Sequence, residues 1–123
     1  PGAVYRPHID GAWPGSGVVP SGEYTDDAFN GTQHTKLTFL VYLSDGFTGG
    51  ATTFFLPKIC SGEPGERSTA VNVNTIEARS VRPMQGSVLC FPHGSALGSL
   101  VHEGSAVHEG TKYVIRTDVR YSV

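Results

Sequence analysis

An all-β sandwich or barrel is the fold class that this sequence predicts, and three observations carry it. Sixteen glycines and eight prolines are spread through 123 residues, a density that interrupts long helices. The apolar segments are short and rich in β-branched and aromatic residues, as pleated, half-buried strands require. Clusters of turn formers, SDGFTGG, CSGEPGE and PHGSALG, separate those segments.

The elements follow in order. A first strand is expected in AVYRPHI (residues 3–9). A polar, glycine-rich excursion then runs over residues 11–35, and its segment EYTDDAFN is the best place for a short helical turn. The expectation is therefore all-β with few short helices. LTFLVYL (37–43) and ATTFFL (51–56) are the next strands, followed by a second excursion over 57–68. TAVNV (69–73), SVLCF (87–91) and KYVIRTDVRY (112–121) complete the set. Excursions of this length in a compact chain often line or cover a site, and Trp13 and Tyr24 in the first could contact a peptide or simply anchor the loop. Two cysteines do not make a disulfide scaffold. Cys90, inside SVLCF, reads as a small buried hydrophobe, and a bridge to Cys60 stays open.

The length fits one domain with one core. A net charge of -2 and a pI near 6.2 offer no basic face to nucleic acid or to an anionic membrane. No apolar run approaches the roughly 18 residues of a bilayer span, and no signal-peptide pattern opens the chain. A soluble protein, leaning to the cytoplasm, is the expectation. The abrupt opening PGAVYRPH has the character of a domain excerpted from something longer.

The chemistry-bearing residues begin at YRPHID. His8 and Asp10 are two apart, so on an extended strand both point to one face. An imidazole nitrogen and a carboxylate oxygen side by side can take adjacent positions on a metal ion. Alone the pair is weak evidence, since a surface hydrogen bond explains it equally well. A second histidine from a distant strand would complete the two-histidine, one-carboxylate set that leaves positions open on non-haem Fe(II). His34 lies in the polar excursion and His93 follows Phe91-Pro92. The triplet His-Glu-Gly occurs twice, at His102 and again six residues later at His108. Leu100-Val101 anchor His102 on a strand, whereas His108 reads as the turn into the last strand, a poor place for a rigid ligand. On that last strand Lys112 and Arg116 share a face by alternation. Solvent exposure is the ordinary explanation for alternating charges; an inward cation would instead bind an anionic co-substrate.

In this order the motifs resemble those of the prolyl 4-hydroxylase-like Fe(II)/2-oxoglutarate dioxygenases. YRPHID corresponds to the family's Tyr-x-x-His-x-Asp, and LTFLVYL with GGATTF to Thr-x-Leu-x-Tyr-Leu and Gly-Gly-x-Thr-x-Phe. PMQGSVLCF corresponds to Pro-x-x-Gly-x-x-x-x-Phe, and HEGSAVHEGTK to His-x-Gly-x-x-Val followed by Gly-x-Lys. The resemblance spans nearly the whole chain. It implies a double-stranded β-helix (jelly-roll, cupin-like) core, with residues 1–123 as a catalytic core that lacks the family's N-terminal elements. It implies Fe(II) on His8, Asp10 and His102, with 2-oxoglutarate as co-substrate bound by Lys112, ten residues after His102. Tyr5 and Thr52 would reach the co-substrate pocket, although simple alternation turns Tyr5 away from His8; Arg116 is the alternative carboxylate anchor. It implies that dioxygen is consumed and succinate and CO2 are released, with ascorbate as an expected reductant. A peptide or protein substrate is favoured over a small molecule, a prolyl residue first. Ala106 and Asp118 depart from residues common in the family, which leaves the substrate open. The rival readings are a non-catalytic jelly-roll binding module, a cupin-like metalloprotein without 2-oxoglutarate, and an oxygenase of another peptidyl or small-molecule substrate.

Overall fold

A computed structural model describes residues 2–58 and 75–122. The expected strand TAVNV, most of the second excursion and Cys60, hence the question of its pairing with Cys90, lie outside the described residues. Eleven strands follow one another: β1 Tyr5–His8, β2 Gly17–Val18, β3 Tyr24–Thr25, β4 Gln33–Tyr42, β5 Thr48–Gly49, β6 Thr52–Pro57, β7 Ile76–Val81, β8 Val88–Pro92, β9 Val101–Gly104, β10 Val107–Glu109 and β11 Val114–Ser122. There is no helix among the described residues, and so none long and apolar enough to cross a membrane.

The strands pair antiparallel in a four-stranded sheet ordered β1-β9-β6-β7 and a three-stranded sheet ordered β11-β4-β8. Two small ribbons, β10-β5 and β2-β3, complete the jelly roll. The main sheets face each other and close the core between them. Phe54 of β6 meets Phe91 of β8 edge to face, with ring centroids 5.0 Å apart, a favoured aromatic geometry. Tyr42 at the end of β4 is 1% exposed, and its hydroxyl shares a 2.7 Å hydrogen bond with Thr52 across the gap.

Two irregularities break the two-residue alternation, and both matter to the site. Tyr5 pairs with Gly104 and His8 with His102, so β1 carries one residue more than β9 over that interval. Leu37 pairs with Val119 but Thr35 with Arg120, so Lys36 is an extra residue on β4. A bulge of this kind re-aims the side chains beyond it. Thr35 and Thr38, three apart, are consequently both buried.

Several expectations are corrected. The helical turn around EYTDDAFN is instead β3 followed by a tight turn, in which the Asp27 carboxylate accepts from the backbone N–H of Phe29 and Gly31; short aspartate side chains favour such local bonds over helix. The first excursion is not one open loop, because β2-β3 lies within it and His34 belongs to β4. Cys90 is exposed rather than buried. Its partner Phe39 alternates with inward Thr38, which puts Cys90 on the outer face of its sheet. β7 (IEARSV) went unanticipated because its alternation is mostly polar.

Candidate active site

The paired strands β1 and β9 assemble a candidate metal-binding constellation. His8 ends β1, Asp10 lies two residues beyond it, and His102 on β9 is the register partner of His8. One donor atom from each of the three residues lies within 4.8 Å of the others. His102 is 5% exposed and Asp10 7% exposed. Phe91 packs edge-on against the His102 ring at 4.6 Å and Phe54 lies beside it at 5.7 Å. Those aromatic walls fix the ring's orientation.

The hydrogen bonds fix which ring nitrogen of each histidine carries the proton in the neutral form. His8 Nδ1 is 2.6 Å from the Arg6 carbonyl and His102 Nδ1 is 3.2 Å from the Leu100 carbonyl. A carbonyl only accepts, so each Nδ1 must carry the proton. In a neutral imidazole the Nε2 lone pair is then the outward-facing atom, as metal ligation demands. For His102, burial lowers the pKa and outweighs the opposing pull of Leu100 and Asp10, so the ring stays neutral. Burial alone would raise the Asp10 pKa. The Thr38 hydroxyl and the Arg116 guanidinium are the chief influences that reverse this and hold the carboxyl below its ordinary value.

These forms create a conflict that a cation resolves. His8 Nε2 is 3.1 Å from Asp10 Oδ1, and His102 Nε2 is 3.6 Å from Asp10 Oδ2. Two lone pairs facing an anionic oxygen repel it. A divalent cation among the three turns that repulsion into coordination, and two imidazoles with one carboxylate suit Fe(II). The residues present therefore fit the metal.

A cavity of about 200 Å³ opens from this triad. Tyr5, Thr52, Lys112 and Arg116 all line it. The bulge in β1 settles the conflict over Tyr5: its ring lies on the same side as His8, edge-on with centroids 4.2 Å apart. Thr52 is 3% exposed and bonded to Tyr42. Lys112 is half-buried, with Nζ donating to the Gly50 carbonyl at 2.7 Å and lying 5.5 Å from the Tyr42 ring centre. Burial lowers its pKa. Among the described residues it has no carboxylate partner, so a partly desolvated cation faces the cavity without a counter-charge.

A family model, the 2OG-Fe(II) oxygenase superfamily, matches residues 1–120. The chain belongs to this superfamily. Membership makes it an oxygenase and implies Fe(II), 2-oxoglutarate and dioxygen. Among curated proteins and among solved structures, nothing matches the chain.

In this oxygenase two placements differ from sequence expectation. His108 lies on β10, an exposed ribbon strand, rather than in a turn; the turn falls one step later, at Gly110 with φ 79°. Lys112 precedes β11, which starts at Val114, so it reaches the cavity from a connecting segment and not by strand alternation. Arg116, the alternative carboxylate anchor, lines the cavity, but its Nη2 stands 3.4 Å from Asp10 Oδ1 and 3.3 Å from Asp118 Oδ1, so carboxylates of the protein already face its charge. Residues missed altogether are Tyr42 and Thr38, whose hydroxyls bond Thr52 and Asp10. The sequence signal for both was their place in the Thr-x-Leu-x-Tyr pattern of β4.

Proposed function

We propose that residues 1–123 form the catalytic core of a dioxygenase that hydroxylates a peptidyl substrate, a prolyl residue foremost, while converting 2-oxoglutarate to succinate and CO2. The observation that carries this is the Nε2 atoms of His8 and His102 converging on the Asp10 carboxylate beside Lys112, which has no carboxylate partner among the described residues. His8, Asp10 and His102 would hold Fe(II), which supplies the oxygen-activating chemistry when bound. Lys112 would bind the far carboxylate of 2-oxoglutarate by a charge-assisted hydrogen bond. The Thr52 hydroxyl, which lines the cavity and is bonded to Tyr42, would share that task. Tyr5 stacks against His8 and closes one wall of the cavity. Phe91 and Leu40 line its apolar side and keep water from it, which strengthens every electrostatic contact within.

Beside the triad, an open groove of about 600 Å³ runs along Val4–Gly11, Trp13 and Arg116. Tyr5 and Trp13 are 65% and 61% exposed, so their faces are available to a chain laid along the groove. An open, aromatic-edged groove favours a peptide over a small metabolite, which a closed pocket would bury. Ascorbate is the reductant expected to sustain turnover.

The decisive experiment adds Fe(II) and 2-oxoglutarate to the protein without oxygen and records the visible charge-transfer absorption of the chelate. Oxygen is then admitted and succinate measured, with and without proline-containing peptides. A band and uncoupled succinate formation, stimulated by peptide, are expected. Absence of both from folded protein would favour the non-catalytic binding module.

A further inference from the structure

His93 is 1% exposed, stands directly after the last residue of β8 and takes no part in the site described above. Its ring is held between the two threonines that the β4 bulge turns inward. Nδ1 lies 2.8 Å from Thr38 Oγ1, and Nε2 lies 2.9 Å from Thr35 Oγ1. Thr38 Oγ1 in turn is 2.6 Å from Asp10 Oδ2, and Thr35 Oγ1 accepts from the Trp13 backbone N–H at 2.9 Å.

The direction of every proton in this chain follows from its two ends. An ionised carboxylate can only accept, so the Thr38 hydroxyl gives its single hydrogen to Asp10. Thr38 must then accept from His93, which puts the ring proton on Nδ1. Asp118 Oδ1, a buried oxygen without a hydrogen bond, is 3.9 Å from that nitrogen, and its negative charge favours the same tautomer. The bare Nε2 accepts from the Thr35 hydroxyl, whose oxygen is already engaged by Trp13. Each group is satisfied with the imidazole neutral. The donors run one way, from the Trp13 N–H through Thr35, His93 and Thr38 to Asp10.

We propose that His93 is a positioning residue for the metal centre, acting through Thr38 to tie back Asp10 Oδ2 and leave Oδ1 turned toward His8. This inference rests on the reading of His8, Asp10 and His102 as the metal ligands. Without the His93 N–H, the Thr38 hydroxyl is free to rotate its hydrogen away, and the carboxylate loses its orientation. Groups that orient a ligand in this way contribute about 10- to 100-fold in metal affinity.

The test reads Mn(II) binding to the whole chain by the loss of the free-ion electron paramagnetic resonance signal, so turnover is not needed. Thr38→Val keeps the shape and removes the hydroxyl, and should weaken Mn(II) binding about 10- to 100-fold, whereas Thr38→Ser should stay within about twofold of the wild type. His93→Leu should weaken binding as much as Thr38→Val, and the double variant no more than either alone, because both remove one chain. His93→Asn, which can still present an N–H near Nδ1, should recover most of the affinity without recovering the melting temperature. Equal Mn(II) affinity in Thr38→Val and Thr38→Ser would overturn the proposal, and the threonine pair decides it even if His93→Leu does not fold. Additive losses in the double variant would also overturn it. Asp10→Ala separates the two readings. If it abolishes Mn(II) binding while the Thr38 variants bind normally, only the positioning role fails; if it leaves binding intact, the ligand assignment fails and the positioning role with it.

Discussion

The same three residues, His-Glu-Gly, occur at 102–104 and at 108–110 with opposite fates. In the first copy the histidine belongs to the candidate metal site. His102 pairs in register with His8, is walled by Phe54 and Phe91, and bonds the Leu100 carbonyl. Gly104 beside it has ordinary backbone geometry. In the second copy the glycine carries the structure. Gly110 has φ 79°, and a Cβ there would stand 3.0 Å from the Gly46 carbonyl and from Phe47. His108 is exposed on the ribbon with β5. The triplet has no intrinsic role; its position in the sheet assigns one.

The largest expected effect comes from breaking the first copy. His102→Ala should abolish Mn(II) or Fe(II) binding and succinate formation, because the buried carboxylate would keep only one imidazole beside it. His108→Ala should leave both as in the wild type, measured by the same titration. A reversed result would exchange the roles of the two copies.

The co-substrate contact gives the next largest change. Lys112→Ala should raise the 2-oxoglutarate concentration for half-maximal succinate formation on the order of 10- to 100-fold, as expected for one charged hydrogen bond. Metal affinity should hardly move, since Lys112 makes no bond to the triad residues. Arg116→Ala should show the opposite balance. It removes the guanidinium beside Asp10 and Asp118, so metal affinity should change more than 2-oxoglutarate affinity. Titrating both ligands against both variants checks the assignment, and a larger 2-oxoglutarate defect in the Arg116 variant would make arginine the anchor.

A smaller effect separates the two glycines. Gly110→Ala forces a β-carbon into the left-handed region and against Phe47, which should cost about 1–3 kcal/mol by chemical denaturation while leaving metal affinity unchanged. Gly104→Ala should cost less stability. Its Cβ would meet the Tyr5 Cβ at 3.2 Å, so the disturbance should appear instead as weaker 2-oxoglutarate binding through a displaced Tyr5. The smallest change belongs to Glu109→Gln, at an exposed carboxylate on the ribbon strand, where neither stability nor ligand affinity should move.

Much of the site was legible one residue at a time. His-x-Asp spacing suggested, by strand alternation, that both side chains share a face, and the structure brings them together with His102 although Asp10 lies two residues beyond the end of β1. The choice of His102 over His108 followed from the apolar residues before it. Tyr5 was not legible in the same way. Alternation turned it outward, and only the extra residue in β1 opposite β9 brought it beside His8. Nor were the neighbours of Arg116 legible, since position along a strand says nothing about which residue of another segment lies beside it.

By itself, the sequence determined the β architecture, the ligand types and their order along the chain, because glycine, proline and β-branched residues act locally and alternation is a local period. The tertiary structure decided where that period breaks. Bulges at β1 and at Lys36 exist only because particular partners, β9 and β11, set a register that one strand cannot match residue for residue. Those two mismatches turn Tyr5 into the cavity and bring Thr35 and Thr38 together around His93. Pairing between distant strands is a property of the assembled sheet, and no single segment carries it.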